Sequence, residues 1–427
     1  MTKEQRHVSC QLAVVGTGLA GFAAAVFAGN RGLDTALTGN TGALAYTTGY
    51  LDLLGAMDGG GPPLDDPWQA LQTLQSNRPE HPLCRLSPAL IHAAFTEFTA
   101  FLGNAGLSYS PPGKRNETVL TPVGTLKKTL CVPSTMAPGT TALADRKPCL
   151  VVDFHGLKGF SAHQVVANLG GSWPDLSAAH LVFPGMEHGE IYPEVMARAL
   201  ETTATRARLA ELLRDAAGDV TTVGLPAILG IHRPDLVRAE LEKLSGLRIF
   251  EIPTMPPAVP GIRLRELLEQ VLPQRGTTLI PQQKIKKLAF EKDSIRLDLA
   301  DNYGPIVIEA QAVILATGRF LSGGLAADAN GIRETLLGLP VSQPGSRADW
   351  FREVYTDRRG HPINRAGLSV DSYCRPLTAA GRPFDRRLFG AGIILANQDW
   401  IRSRCGAGVA IASAYCSVQQ VRQLLGD

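Results

Sequence analysis

The chain has 427 residues, and at about 100 to 200 residues per domain this predicts two or three domains, with room for one to be inserted in another. With 44% hydrophobic and 19% charged residues it is an ordinary globular sequence, neither disordered nor fibrous. Forty-two basic against 39 acidic residues and only 6% aromatics exclude a general polyanion partner, so nucleic acid is not expected.

Residues 11–15 (QLAVV) read as a buried parallel strand, followed by a helix over 19–29 and a second strand over 34–38. This is β-α-β in the first 38 residues. The stretch 12–28 is apolar, but Gly16, Gly18 and Gly21 dilute it below what a spanning helix requires, and no other segment qualifies. Residues 39–88 read as loops and short pieces, 88–103 as an amphipathic helix, and 113–148 as short segments broken by Pro and Thr.

A second α/β pattern follows. Strands are expected at 148–154, 181–183, 221–229 and 247–252, with helices at 161–169, 194–217 and 234–244. The helix over 194–217 is the longest helical pattern. After a helix at 263–272 the pattern returns to nucleotide-domain form: strands at 277–280, 284–291, 294–299 and 312–318, a short run at 387–392, and a final helix over 406–421. The expected fold is α/β, a Rossmann-like two-dinucleotide fold. Residues 1–114 and 256–427 form a discontinuous flavin-binding domain around an inserted α/β domain of residues 115–255.

Gly16-Thr17-Gly18-Leu19-Ala20-Gly21 is G-x-G-x-x-G directly after a strand and at the start of a helix. The first glycine makes the turn, the second admits a phosphate to backbone N–H groups, and the third lets helix and strand approach. An acidic residue is expected about 20 positions on to bind an adenosine ribose. The second strand instead ends in Thr38-Gly39-Asn40, and Asp34 stands at its start, too early to reach. That absence favours FMN, with FAD as the alternative.

Ala316-Thr317-Gly318 closes a hydrophobic strand after a hairpin, like the second signature of two-dinucleotide-fold flavoproteins, and Leu388-Phe389-Gly390-Ala391-Gly392 resembles the third. Ile393 stands where an acidic residue usually follows. Gly406, Ala407 and Gly408 open the last helix, whose N-terminus would face the N1/O2 edge of a flavin ring. The seven cysteines are scattered, without metal or cluster spacing, and read as reduced thiols in a cytosolic protein with no metal.

Several blocks resemble the B subunit of anaerobic glycerol-3-phosphate dehydrogenase: residues 47–54 (TTGYLDLL, including Thr48 and Gly49), 121–126 (TPVGTL), 253–257 with 261–264 (PTMPP, GIRL), and 322–325 with 330–334 (SGGL, NGIRE). The resemblance covers essentially the whole chain. It implies a flavoprotein subunit, usually assigned FMN, paired with a larger FAD-containing A subunit and attached to the inner face of the cell membrane by an iron–sulfur C subunit. The complex would oxidise sn-glycerol 3-phosphate to dihydroxyacetone phosphate and send electrons to quinone.

Arg263 and Arg333 lie in these blocks. Each either holds a phosphate or assists a proton to leave, or is a structural salt-bridge partner. His155 and His163 flank a loop and helix start; His163 matches the family text better and is a candidate base, with a hydrogen-bonded structural histidine as the other reading. Between Arg347 and Arg404 stand 11 Arg against 6 acids, either a docking face for an acidic partner or a solvated surface. Two other functions stay open: a non-catalytic electron-transfer or scaffolding subunit, motivated by the two missing acids, and a nicotinamide enzyme of similar fold.

Overall fold

A computed structural model describes residues 5–40, 42–57 and 61–426. The chain divides into two compact units, Met1–Ala43 with Asp52–Phe98 and Leu268–Asp427, and Leu44–Leu51 with Thr99–Leu267. The limits fall at 98/99 and 267/268, where the sequence suggested 114/115 and 255/256. Both lie inside helices, Pro88–Asn104 and Val259–Gln274, so no composition change marks them.

The first unit is built on a seven-stranded mixed sheet. Strand Arg6–Val15 is parallel to Gly304–Leu315 on one side and to Thr35–Gly39 on the other; Thr277–Pro281 continues the parallel part. Lys287–Phe290 and Ile295–Asp301 add an antiparallel hairpin against the first half of Gly304–Leu315, and Leu388–Gly390 pairs in parallel with its last residues. The first strand begins earlier than its apolar run. Arg6 to Cys10 pair only with Ile306 to Ala310, and the second neighbour joins at Leu12, so the early half is an edge that tolerates polar residues.

Helix Leu19–Asn30 covers this sheet and is apolar on nearly every side, because it also packs on the final helix, Gly406–Leu424. Phe27 meets Tyr415 edge to face at 5.0 Å, and Arg31 lies 4.9 Å above the Tyr415 ring while its guanidinium forks onto Glu97. The 39–88 region holds a helix that composition hid, Pro67–Asn77. Asp66 caps it by accepting the N–H groups of Trp68 and Gln69, Pro67 occupies the first turn, and only a narrow face is buried.

The second unit holds a four-stranded parallel sheet in the order Leu176–Leu181, Cys149–Phe154, Thr222–Pro226, Arg248–Ile252. Cys149–Phe154 is buried along its whole length, with Leu150, Val152 and Phe154 entering one core and Cys149 and Val151 the other. The helix expected over 194–217 is two helices, Pro193–Ala199 and Thr203–Ala217. The break has a cause: the Thr202 hydroxyl accepts the Thr205 N–H, and the Glu201 carboxylate accepts the N–H groups of Ile231 and His232. Among the described residues no helix is long and apolar enough to cross a membrane, and the stretch 12–28 is shared between a strand and a helix.

Candidate functional site

The three glycine signatures meet at the carboxyl end of the first unit's parallel strands. Gly16 adopts φ +128° with its N–H on the Thr38 carbonyl (2.7 Å), and a Cβ there would stand 2.1 Å from the Ala316 carbonyl oxygen. A Cβ at Gly21 would lie 1.7 Å from the Gly16 oxygen, so only glycine lets the helix seat on the loop. Gly18 differs. It is the N-cap of helix Leu19–Asn30 in an extended conformation, and a Cβ on it meets nothing within 4 Å. Space therefore opens beside first-turn N–H groups that have no partner within the helix, including those of Leu19 and Ala20.

The end of the second strand carries no carboxylate. It is tied to the glycine loop instead: the Thr17 hydroxyl donates to the Asn40 carbonyl, and Cβ atoms at Gly39 and Gly42 would strike Thr17 backbone at 2.7 and 2.0 Å. Asp34 lies at the opposite, amino end of that strand, where its carbonyl accepts the N–H groups of Gln11 and Leu12.

Gly392 reaches the same place. It has φ +80°, and a Cβ on it would come 2.6 Å from the Ala20 Cβ in the first turn of helix Leu19–Asn30. Its N–H donates to the Ser413 hydroxyl at 2.9 Å, and Ser413 donates to the Val409 carbonyl, which fixes the loop to the last helix. That helix begins at Gly406, with Ala407 and Gly408 in its first turn; the Gly408 N–H donates to the Asp52 carbonyl at 2.7 Å. Thr317 and Gly318 follow the long strand. Gly318 turns with φ +66° against Ser322, and the buried Thr317 hydroxyl has no hydrogen-bond partner. A desolvated hydroxyl without a partner, at the same strand ends as the unpartnered first-turn N–H groups of helix Leu19–Asn30, fits a polar ligand such as a flavin phosphate or ribityl chain.

Arg319, immediately after Gly318, is a member of this site that the sequence reading missed. It is buried, and it donates from Nε to the Ile393 carbonyl (2.6 Å), from NH1 to that of Asn364, and from NH2 to those of Leu395 and Gln398 (3.0 and 3.1 Å). Burial lowers its pKa to about 10, with Asp399 acting in the opposite sense, so it stays charged at neutral pH. The guanidinium thus moulds the loop after Gly392. Arg319→Met should strand these carbonyls and lower stability by about 3 kcal/mol or more, read as a lower melting temperature. Arg319→Lys should fall between, since an ammonium has three donors and no planar fork.

Of the other candidates, Arg333 lies in the first unit on an exposed hairpin, and Arg263, Thr48, Gly49 and His163 belong to the second unit. Arg263 belongs to the second unit and is 1% exposed, with NH1 and NH2 on the two Glu251 oxygens (2.6 and 2.7 Å) and Nε on the Gly230 carbonyl (2.8 Å). Of the two readings, the structure gives it the salt-bridge role, and it is not carried forward as a catalytic residue. Arg333 is exposed on the hairpin of Leu325–Asp328 and Gly331–Glu334, 3.8 Å from Asp328. Thr48 and Gly49 belong to the Leu44–Leu51 segment of the second unit. Gly49 is required there by φ +84° and by Pro260, whose Cβ would be 2.6 Å from an added Cβ, and its carbonyl accepts the Tyr109 hydroxyl.

His163 is exposed in the first turn of helix Ala162–Leu169. Nearby in that unit, buried Asp153 accepts the Ala162 N–H (2.8 Å) and pairs with His180 Nδ1 (2.5 Å), and the His155 ring lies 4.0 Å from that of His180. Of this group the sequence had singled out His155 alone; its neighbours Asp153 and His180 come from two different strands, and their proximity was not legible in it. Among the described residues no cluster of three or more His, Cys, Asp or Glu is arranged to hold a metal, and all seven cysteines are free.

Residues 11–409 match the family described as FAD binding domain. The B subunit of anaerobic glycerol-3-phosphate dehydrogenase from Vibrio cholerae serotype O1 is 30% identical over 425 residues, covering 96% of each chain. The proteins of the same name from Aliivibrio fischeri and Pectobacterium carotovorum are each 27% identical, over 96% of this chain and 95% and 97% of their own. The chain is therefore a flavoprotein of the FAD-binding-domain family and belongs among the anaerobic glycerol-3-phosphate dehydrogenase B subunits.

Proposed function

We propose that this chain is the flavin-bearing B subunit of a complex that oxidises sn-glycerol 3-phosphate to dihydroxyacetone phosphate. It would work beside a larger FAD-containing A subunit and an iron–sulfur C subunit that holds the pair to the inner face of the membrane and passes electrons to quinone. The observation that carries this reading is end-to-end similarity to proteins of that name, over 96% of both chains.

For the cofactor we favour FAD. The matching family is described by FAD, and the expectation of FMN, which rested on the acid missing after Thr38, finds no support there. The adenosine ribose would then be held without a carboxylate from the second strand. When bound, a flavin takes up two electrons together and releases them singly. Gly16, Gly18, Leu19, Ala20 and Gly21 would hold the phosphates, Thr317, Gly318 and Gly392 the middle of the molecule, and the first turn at Gly406, Ala407 and Gly408 would favour negative charge on the ring.

The test is an absorption spectrum of the purified chain, followed by heat release and chromatography of the chromophore. Released FAD is the expected result, FMN would reverse the cofactor assignment, and a colourless protein that neither flavin reconstitutes would leave only a scaffolding subunit. A second reading, a relay that does not itself oxidise substrate, is favoured by the first unit's lack of an acid at either expected position, 40 or 393. Flavin reduction by glycerol 3-phosphate in the absence of the A subunit would reject it.

A further inference from the structure

The last helix, Gly406–Leu424, carries two serines one turn apart, Ser413 and Ser417. They are 1% and 0% exposed. A buried hydroxyl costs free energy unless it is bonded, and serine gains nothing from propensity in a helix interior, so each position needs a reason.

The reason is one short turn of chain, Gly390-Ala391-Gly392. Four residues apart, the two side chains share a face of the helix, and both bond to that turn. The Gly392 N–H donates to Ser413 Oγ at 2.9 Å, while Ser417 Oγ donates to the Gly390 carbonyl at 3.3 Å. One serine thus accepts from the turn and the other donates into it, at its two ends. Ala391 between them is held from the opposite side, its N–H donating to the Leu315 carbonyl at 2.9 Å.

What the turn touches gives this grip its consequence. Gly392 stands at φ +80° against Ala20, in the first turn of helix Leu19–Asn30. Ser413 also donates to the Val409 carbonyl, three residues beyond Gly406. One hydroxyl therefore joins the two helix starts that the flavin reading gives to the phosphate end and the ring end of the cofactor. Because Ile393 stands where an acid would anchor the ligand from the front, the turn has to be placed by the chain behind it.

We propose that Ser413 and Ser417 are positioning residues for the flavin, a clamp on the Gly390–Gly392 turn that fixes the spacing of the phosphate end and the ring end before the cofactor arrives. The proposal rests on the flavin site assigned above. Ser413 carries the larger share. Without its hydroxyl the Gly392 N–H is left buried with no acceptor, and an orphaned N–H costs more than a carbonyl short of one donor, which is all that loss of Ser417 leaves.

The test compares the flavin-loaded chain as wild type, Ser413→Ala, Ser417→Ala and Val418→Ala. Val418 is fully buried in the same helix and has no polar atom to bond the turn, so its truncation reports lost packing alone. The rate of flavin loss on dilution, the midpoint potential of the bound flavin and the melting temperature are measured for each. Ser413→Ala should lose flavin about tenfold faster or more. Its potential should fall, because the first turn at Gly406 then favours negative charge on the ring less. Ser417→Ala should move both in the same direction by less, and should Ser413→Ala not fold, it carries the comparison alone. Val418→Ala should lower the melting temperature and leave the rate and the potential at wild-type values. Serine variants that change rate and potential no more than Val418→Ala, at equal loss of melting temperature, would reduce the clamp to ordinary packing and overturn the proposal while leaving the flavin site intact. A wild-type chain that takes up neither flavin would overturn the assigned site, and the clamp with it.

Discussion

Glu251→Gln should destabilise the second unit by about 3–5 kcal/mol, because it leaves the Arg263 guanidinium buried without a counter-charge. The pair is among the least solvated charges in the chain, with side-chain exposures of 1% and 0%. The carboxylate also accepts the Thr135 hydroxyl and the Leu229 N–H, so it joins the sheet to two other segments. Replacing both partners, as Glu251→Leu with Arg263→Met, should cost less than either single change, since no lone charge remains. Denaturant unfolding followed by Trp173 fluorescence, with Trp68, Trp350 and Trp400 replaced by Phe, reports this unit, because Trp173 is its one tryptophan. A double variant as unstable as the sum of the singles would mean the pair acts through shape and not charge.

The same pair sets a response to acid. Burial alone would raise Glu251, but the charge and hydrogen bonds of Arg263 outweigh it, with help from Thr135 and Leu229, and hold the carboxyl below its ordinary range. A group depressed in the folded state contributes stability fully above its unfolded value of about 4.3, and loses it as pH falls through the lower folded value. Stability of the second unit should therefore drop steeply below about pH 4 in wild type and more shallowly in the double variant.

Gly18→Val should reduce bound flavin to less than about a tenth of wild type while the fold persists. The expectation rests on a contrast within one motif. Side chains at Gly16 and Gly21 would collide with backbone at 2.1 and 1.7 Å, so changes there damage the fold and any loss of flavin is uninformative. Gly18 has φ −86° and empty space before it, so valine is accommodated by the protein and intrudes only on what binds there. Flavin content by absorbance and far-ultraviolet dichroism on the same sample decide it. A variant that keeps its flavin would place the phosphate elsewhere.

What the sequence made legible follows from the range of the interactions involved. The glycine motif, its strand and its helix lie within about 30 residues, the span of one βαβ unit, and local pattern sufficed to place them. The second and third signatures were readable as short strings, but that Gly16 lies against Ala316 and Gly392 against Ala20 is a fact of the sheet order. Glu251 stood in view as a lone acid in the apolar run RIFEI, and its meaning needed Arg263 opposite it. Arg319 followed directly on A-T-G, yet its four carbonyl partners lie 45 to 79 residues away. The break at Glu201 and Thr202 was hidden because the first N–H group that the Glu201 carboxylate accepts stands 30 positions on.

The placement of the first strand bears on how the chain is made. Arg6–Val15 leaves the ribosome well before the strand that completes one side of it, Gly304–Leu315, since Val15 stands opposite Leu315, 300 positions further on. At about 5–20 residues per second, synthesis takes roughly 15 to 60 s to supply that neighbour. Throughout that interval the nascent β-α-β piece presents an unpaired central edge and the apolar flank of Leu19–Asn30, whose other partner, Gly406–Leu424, is translated later still. Closure of the first unit thus waits on segments hundreds of residues downstream, and until they arrive its strand order leaves this apolar surface without its native cover.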